Sequence, residues 1–363
     1  MRYLRRWRGT SRSDRRAAAR ADTVSADARA LQKKLKAEAG AQKGRSRETA
    51  AAVEHLTGQL AELAEICRRL ERRAHGLEQV IVRNRRDADR LSEFRRRVND
   101  GSIARHVADA IAAAPLFDDP APMLAIDGLF PDAVYDIFVA AIPPVDAFSV
   151  KDRHKADFRA RKPQAIVPDL ADAAWSFLDE DLIPRTIVPA IARRFAPFAE
   201  RYYAELFGPD MGTRVAALPL EATDARLMLR RPGYHLDPHL DPKRVLMTGL
   251  VYFARPGDSD AHGTTFYRVS GPVTRDHAST YYPAAAGHQC ELVRAVPFRR
   301  NSALVFLNSV AHGADIPATE PKDLERYALQ FYVGPPVGAL RELVRALPEP
   351  VQRTWAQLLA AKS

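Results

Sequence analysis

The strongest constraint on the fold is a series of short runs, rich in β-branched and aromatic residues, that begins at Ala225. Runs of this kind predict strands where residues that favour turns separate them. Several short strands joined by turns predict a β-sandwich or a barrel for this part of the chain. The candidate strands are 225–230, 245–254, 264–269, 289–298, 302–308 and 326–333.

Helical patterns flank these strands on both sides. Residues 123–210 are mostly helical in pattern, and residues 337–360 carry a helical pattern broken by prolines. We therefore expect one large domain at 123–363, in which the β part occupies 211–335.

A seven-residue repeat dominates residues 53–98. A repeat held this long keeps one seam facing a partner helix, so it predicts a coiled coil at 51–100 and a homo-oligomer. The alternative is a long amphipathic helix that packs on the large domain of its own chain. Alternating steps of three and four residues select Val53, Leu56, Leu60, Leu63, Cys67, Leu70, Ala74, Leu77, Ile81, Asn84, Ala88, Leu91, Arg95 and Val98.

Positive charge is concentrated in the N-terminal part of the chain. Residues 1–98 hold 26 Lys and Arg against 13 Asp and Glu, and the rest of the chain holds 29 against 32. Residues 1–50 are poor in large apolar side chains, so we expect a disordered or loosely helical arm. Such an arm can bind an anionic partner, although charges that simply face water explain the same composition. Loop signals at 99–101 and 118–122 predict a linker at 101–122.

The cysteines and the lengths of the apolar segments indicate the cellular compartment of the protein. Cys67 and Cys290 fall in regions assigned to different units, which excludes a disulfide framework and fits a reducing compartment. No apolar stretch of secretory-signal length follows the basic start of the chain, and no run approaches the ~20 apolar residues of a membrane span. We therefore expect a cytoplasmic protein without a membrane span.

The segment RPGYHLDPHLD at 231–241 contains His-x-Asp twice. On a strand, side chains two residues apart point to one face, so either His235 with Asp237 or His239 with Asp241 can chelate a metal ion. A distal histidine would complete the set of two histidines and one carboxylate that non-haem Fe(II) oxygenases use, with coordination positions left open. The repeat alone does not choose between the two pairs.

Among the later histidines, His312 is the best candidate for the third ligand. It follows the apolar run at 301–307, and a buried strand there would hold it rigidly. The other candidates lie among residues typical of loops: His262, His277 and His288.

Arg326 opens another apolar run, fourteen residues after His312. A guanidinium on a buried strand needs an anion, and the carboxylate of a cosubstrate would supply a bidentate pair. An ion pair with Asp323 or Glu325 is the alternative.

In their order, these segments resemble the 2-oxoglutarate/Fe(II)-dependent oxygenases related to prolyl 4-hydroxylases. They are most similar to a bacterial branch with Gly-Tyr-x-x-x-Pro-His-x-Asp and a later Gly-Thr-(Ser/Thr)-x-Tyr. The resemblance covers about residues 123–335. The segments that carry it are PGYHLDPHLD at 232–241, VYF at 251–253, GTTFY at 263–267, VPFRRN at 296–301, HG at 312–313 and Arg326.

The resemblance implies a fold and a set of site residues. The fold would be a mainly β catalytic domain, a double-stranded β-helix or jelly-roll with flanking helices, preceded by the α-helical coiled coil. His239 and Asp241 are selected over the other pair, because the ligand histidine of this branch follows a proline, and with His312 they would bind Fe(II). Arg326 would bind the distal carboxylate of 2-oxoglutarate, and Tyr252 is a second candidate for that contact.

The activity implied by the resemblance is hydroxylation of a C–H bond, with O2 and 2-oxoglutarate as cosubstrates and succinate and CO2 as products. The substrate, a protein side chain or a small metabolite, is not identified by the sequence. In one departure, Ala328 stands where many relatives have a serine, which leaves part of the cosubstrate contact unassigned. The alternative function is a catalytically idle scaffold or sensor that oligomerises through the coiled coil.

Overall fold

The structure of this chain is a computed structural model, and it describes residues 20, 23–34, 47–160, 166–271, 273 and 279–355. The chain divides into two compact units, Met1–Gln79 and Val80–Ser363. Much of the predicted basic arm lies outside the described residues, as do His277 and the last residues of the predicted C-terminal helical segment. Among the described residues, no helix has both the length and the apolar character needed to cross a bilayer.

The N-terminal unit is helical where it is described. Helix α1 covers 23–34, and α2 covers Arg47–Arg86 and so ends within the second unit. The seam residues of α2 form an apolar stripe that faces solvent in a single chain, so a partner helix has room to cover it. The coiled coil itself stays a prediction. The exposed fraction is between 42% and 57% for the seam residues Leu56, Leu63, Leu70 and Leu77.

The second unit begins with helices that belong to its core, where the sequence predicted the end of the coiled coil and a linker. Helix α3 covers Ala88–Asn99 and α4 covers Ser102–Ala113. The breaker residues near 100 separate these two helices, because Gly101 adopts a φ of +66° that suits a tight turn. Residues 101–122 are therefore folded into the second unit rather than forming a linker. The main core includes, at 1% exposure or less, Phe94, Ile103, Val107 and Ile111.

Twelve strands lie in the described part of the second unit. They are β1 Leu116–Phe117, β2 Met123–Asp127, β3 Ser149–Asp152, β4 Lys155–Phe158, β5 Glu221–Arg230, β6 His235–His239, β7 Met247–Tyr252, β8 Thr264–Val269, β9 Cys290–Val296, β10 Ser302–Leu307, β11 Ala311–Asp315 and β12 Arg326–Gly334.

The strands form two antiparallel sheets. The larger sheet has the order β1-β2-β10-β7-β12-β5-β4-β3, and the smaller has the order β6-β11-β8-β9. From β5 to β12 the chain passes repeatedly from one sheet to the other, which is the strand connectivity of a jelly-roll. Three short strands, β2 to β4, lie within 123–210, where the pattern predicted mostly helix. They extend the larger sheet toward both edges, so this segment mixes helix and strand.

Helices pack on one face of the larger sheet, and the main core lies between them and that face. A smaller apolar cluster, which includes Phe266, Phe298 and Phe306, belongs to the opposite face and fills space between the sheets. The remaining helices are α5 Asp132–Ala140, α6 Asp169–Phe177 with a π-helical continuation Leu178–Ile187, α7 Val188–Phe207, α8 Pro209–Ala216, α9 Val337–Arg345 and α10 Glu349–Thr354, besides the short 3-10 helices Val145–Ala147 and Ala284–Ala286.

Candidate metal centre

Two histidines face each other on strands β6 and β11. The antiparallel register pairs His312 with His239, and their ring centroids lie 4.2 Å apart. Asp241 follows β6, and its Oδ1 lies 3.8 Å from His239 Nε2 while its Oδ2 lies 3.5 Å from His312 Nε2. All three side chains are buried, and their ligand atoms lie within 4.8 Å of one another. The structure thus brings together the three residues predicted as metal ligands.

A β-bulge separates these ligands from the first His-x-Asp of the sequence. His312 pairs with His239 but Ala314 pairs with Leu236, so β6 holds one more residue than β11 in this interval. Pro238 lies inside the interval and has no N–H to donate to the ladder. A bulge of this kind shifts the alternation of side chains by one residue, which turns His239 inward.

The alternative pair, His235 and Asp237, lies outside the centre. The two side chains are 60% and 67% exposed, and His235 bonds Asp315 at 2.8 Å and Asp237 at 3.0 Å. Hydrogen bonds to Asp315 and then to Asp237 raise the pKa of His235. These contacts describe a surface ion pair. Asp237 reaches the centre through its backbone alone, since its carbonyl lies 2.9 Å from His239 Nδ1.

Hydrogen bonds fix the ligand atoms in place. Because a carbonyl only accepts, the contact with Asp237 places the hydrogen of His239 on Nδ1 and leaves the Nε2 lone pair for a metal. Thr248 Oγ1 donates to Asp241 Oδ2 at 2.5 Å, and the Tyr332 hydroxyl donates to Oδ1 at 3.1 Å. Burial, together with the neighbouring Asp241, raises the pKa of Tyr332, so the phenol keeps the proton that it donates.

A buried asparagine holds the loop that carries Asp241. Asn308 Oδ1 accepts a hydrogen bond from the Asp241 N–H at 3.0 Å, and Nδ2 donates to the Asp241 carbonyl at 2.9 Å. Nδ2 also lies 3.2 Å from the Pro242 carbonyl and 3.1 Å from the Val245 carbonyl. No motif or spacing in the sequence distinguishes Asn308, Thr248 or Tyr332 from other strand and turn residues, so these three residues could not be predicted.

Burial sets the charge state of the centre. Burial, reinforced by the neighbouring His239, lowers the pKa of His312 to about 3. His312 is therefore neutral at physiological pH, which is the state in which an imidazole binds a metal. Two imidazole nitrogens and one carboxylate suit a divalent ion such as Fe(II) and leave coordination positions for other ligands.

Arg326 lies in the wall of the same cavity as the triad. It is 4% exposed, and its Nη2 has no hydrogen-bond partner among the described residues. Nη1 reaches the Ser259 carbonyl only at 3.5 Å, and the guanidinium carbon lies 3.6 Å from the centroid of the Phe298 ring. Burial lowers the pKa of Arg326 to about 10, which still leaves it charged. Glu325 instead pairs with Arg231 at 2.7 Å. Asp258, Glu320 and Asp260 lie near enough to act on the charge of Arg326, but none of the described acidic side chains forms an ion pair with it.

The cavity has a volume of about 580 Å³ and is lined by residues of both sheets. Tyr252 lines it and is 3% exposed; its hydroxyl lies 2.6 Å from Thr264 Oγ1. Burial raises the pKa of Tyr252 to about 12, so the hydroxyl is neutral. Ala328 also lines the cavity, and along β12 it lies between Arg326 and Tyr332, the residue that donates to Asp241. The residues predicted to bind the cosubstrate therefore share one cavity with the triad.

The other described histidines that were considered as ligands lie elsewhere. His262 lines the cavity, but its Nε2 lies 2.8 Å from Glu320. His288 Nδ1 lies 2.7 Å from the Ser270 carbonyl. Neither joins the cluster of ligand atoms formed by the triad.

Comparisons with known proteins gave matches among solved structures alone. No family model and no curated protein matches the sequence. An oxidoreductase of the 2OG-Fe(II) oxygenase family from Burkholderia pseudomallei matches with 9% identity and a TM-score of 0.34, over 63% of this chain and 89% of that one. A prolyl-4-hydroxylase from Pseudomonas putida matches with 14% identity and a TM-score of 0.33, over 63% of this chain and 97% of that one.

HygX from Streptomyces hygroscopicus, crystallised with nickel, 2-oxoglutarate and hygromycin B, matches with 13% identity and a TM-score of 0.29, over 59% of this chain and 82% of that one. Since the identities and TM-scores are this low, a function can be argued only from the geometry of the site itself.

Proposed function

We propose that this chain is an Fe(II)- and 2-oxoglutarate-dependent dioxygenase that hydroxylates a C–H bond of its substrate and releases succinate and CO2. The observation that carries the proposal is the presence, in one cavity, of a His-Asp-His triad and a buried arginine that forms no ion pair with a carboxylate of the described residues. A metal ion alone would account for the triad. A ligand that is both a chelator and an anion is needed to account for Arg326 as well.

Three residues would bind the iron, and two others orient one of these ligands. His239 Nε2, His312 Nε2 and one oxygen of Asp241 would hold the iron, and the hydrogen bonds from Thr248 and Tyr332 keep the carboxylate oriented. When bound, the iron supplies the activation of O2 that an organic side chain cannot provide.

The cosubstrate would bind between the triad and the far wall. Arg326 would pair with its distal carboxylate, and Tyr252 lies close enough in the cavity to contribute a neutral hydroxyl. Phe298 lines this end of the cavity, and its ring centroid lies 3.6 Å from the guanidinium carbon of Arg326, which makes the surroundings of the cation apolar. An apolar surrounding strengthens the pair between the guanidinium and the carboxylate and keeps water from competing for it.

Anaerobic titration of Fe(II) and 2-oxoglutarate tests this proposal. We expect the visible charge-transfer band of a chelate between iron and a 2-oxo acid, and succinate formation when O2 is admitted. His239→Ala should abolish both signals, since it removes a ligand. His235→Ala is the matched control, because it removes an exposed histidine four residues away and should behave as the wild type.

The same titration separates the enzyme from an idle scaffold. A charge-transfer band without succinate formation under any substrate tested would favour the scaffold. Absence of the band would refute the cosubstrate site.

We also propose that α2 joins copies of the chain through the seam that includes Leu56, Leu63, Leu70 and Leu77, all of which are exposed. The support for this is the repeat itself, since an exposed leucine every seven residues is costly on an isolated helix. A role of the basic arm in binding an anionic partner stays a proposal from composition alone. Sedimentation of the wild type against Leu63→Glu tests the assembly, and an unchanged mass would contradict it.

A further inference from the structure

The larger sheet carries a row of cations on the wall of the cavity. Its register places Lys155 on β4 opposite Arg230 on β5, and Arg230 opposite Arg326 on β12. All three residues line the cavity. Like charges directly opposite each other on neighbouring strands repel, so this row needs anions close to it.

A further arginine lies on the same face of β5. Arg226, Met228 and Arg230 alternate along the strand and line the cavity, whereas Leu227 and Leu229 are buried in the main core. The side chains of Arg226 and Arg230 are only 20% and 12% exposed. These two guanidinium groups therefore belong to the interior of the cavity rather than to the outer surface.

Acidic side chains neutralise the cations of the wall only in part. Arg230 Nη1 donates to Asp157 at 2.9 Å, and Arg226 Nη1 donates to Asp224. The Nε atoms of both arginines are buried and have no hydrogen-bond partner among the described residues. Of the described residues that line the cavity, five are Lys or Arg and three are Asp, one of which is the metal ligand Asp241. Asp152 pairs with Lys155 at 3.4 Å. Asp224 serves both Arg159 and Arg226, so positive charge is left over at this wall even when Arg326 is assigned to 2-oxoglutarate.

We propose that Arg226 and Arg230 bind an anionic group of the hydroxylated substrate, a carboxylate or a phosphate, at a site separate from Arg326. This inference rests on the proposed function, since the second anion is a substrate only if the first is 2-oxoglutarate. Guanidinium groups bind both kinds of oxyanion with two parallel hydrogen bonds. Ring contacts to Tyr234, 5.0 Å from Arg230, and to Tyr332, 5.8 Å from Arg226, restrict how the two side chains can turn.

The size of the cavity favours a small molecule over a segment of a protein. A volume of about 580 Å³ falls in the range of small-molecule sites, and 2-oxoglutarate has to share it. Because both arginines are largely buried, the anionic group has to enter the cavity to reach them. A compact anionic substrate meets both conditions.

Titration of inorganic phosphate tests the site directly. The protein is loaded with Ni(II), which does not support turnover, and with saturating 2-oxoglutarate, and binding is followed by calorimetry. We expect saturable phosphate binding that Arg230→Gln and Arg226→Gln each weaken roughly 10-fold or more, the usual effect of losing a charged hydrogen bond. Arg230→Lys should fall between Arg230→Gln and the wild type, because it keeps the charge and loses the planar fork.

Arg231→Gln is the matched control. Arg231 is adjacent in sequence but pairs with Glu325 at 2.7 Å and is not among the residues that line the cavity. Its phosphate affinity should equal that of the wild type. Equal weakening by this variant would show nonspecific attraction and would overturn the proposal.

The titrations also separate this proposal from the proposed function. If 2-oxoglutarate fails to bind the Ni(II) protein, the proposed function is wrong. If 2-oxoglutarate binds and phosphate does not, or if Arg230→Gln weakens 2-oxoglutarate as much as Arg326→Gln does and spares phosphate, the second anion site is wrong and the oxygenase stands.

A screen of paired compounds tests the substrate class. Each pair contains a carboxylate or phosphate and its neutral ester or amide, and succinate formation is measured with the Fe(II) protein. We expect the anionic member to stimulate succinate formation at least ~10-fold more in the pair that includes the substrate skeleton. Equal stimulation by both members, or stimulation only by acidic peptides, would refute a small anionic substrate.

Discussion

Replacing Asn308 with alanine would show how much of the metal centre depends on the loop that carries Asp241. An amide NH2 has two hydrogens, so Nδ2 can serve two of its three carbonyl neighbours at one time, and Oδ1 accepts from the Asp241 N–H. The side chain is 2% exposed, so water does not replace these bonds freely. At about 1 kcal/mol for each of the three bonds, Asn308→Ala should lower the free energy of unfolding by about 3 kcal/mol.

That loss should appear in two independent measurements. In a domain of this size, about 3 kcal/mol corresponds to roughly 6–12 °C in Tm. Metal affinity should fall roughly 10- to 100-fold, the usual effect of removing a group that orients a metal ligand. Thermal unfolding of the metal-free protein gives the first quantity, and titration with Ni(II) gives the second.

Asn301→Gly is the control that separates a general loss of stability from a loss of metal affinity. Asn301 is also buried, and its side chain clamps the backbone of Phe130, accepting from the N–H at 2.9 Å and donating to the carbonyl at 2.8 Å. Glycine tolerates its φ of +55°. This variant should lose about 2 kcal/mol of stability and keep the metal affinity of the wild type. Wild-type metal affinity in Asn308→Ala would refute the reasoning, whatever its Tm.

Three further changes test other parts of the structure. Arg326→Gln should raise the Kd for 2-oxoglutarate in the Ni(II) protein roughly 10-fold or more, measured by calorimetry, and an unchanged Kd would remove Arg326 from the cosubstrate site. Gly249→Ala places a Cβ 2.2 Å from Phe331 Cζ and should cost about 1–3 kcal/mol in denaturant unfolding, whereas Gly58→Ala meets nothing within 4 Å and should not destabilise. Mild oxidation should link two chains through Cys67, an exposed seam position, if the coiled coil is parallel and in register; Cys67→Ser should prevent the link, and a monomer on non-reducing gels would argue against that arrangement.

Strand periodicity alone could not identify which histidine and aspartate are the metal ligands. Simple alternation puts His235, Asp237, His239 and Asp241 on one face of a strand, so it cannot separate the two His-x-Asp pairs. The separation is made by the bulge on β6, and a bulge depends on pairing with β11, which the sequence pattern did not predict as a strand. The choice of His239 and Asp241 therefore came from the resemblance, and the structure supplies its physical reason.

Helices α2 to α4 show a second boundary that the sequence pattern could not locate. The heptad pattern at 53–98 continues smoothly across Asp87, yet α2 ends at Arg86 and α3 turns Phe94 into the main core. Amphipathic helices that pack on a domain and helices that pack on a partner bury the same kind of stripe. The stripe alone does not say which surface covers it, and so the position of the boundary could not be predicted from the repeat.

The metal centre is built from residues of both sheets. His239 and His312 belong to the smaller sheet, whereas the groups that orient Asp241 come from the larger one, Thr248 on β7 and Tyr332 on β12. Strand β12 also carries Arg326 and lies between β7 and β5, with neighbours on both sides. A slip of β12 by one residue would turn both Tyr332 and Arg326 to the opposite face. The central position of this strand therefore fixes the spacing between the triad and Arg326, which a strand at the edge of the sheet would hold less firmly.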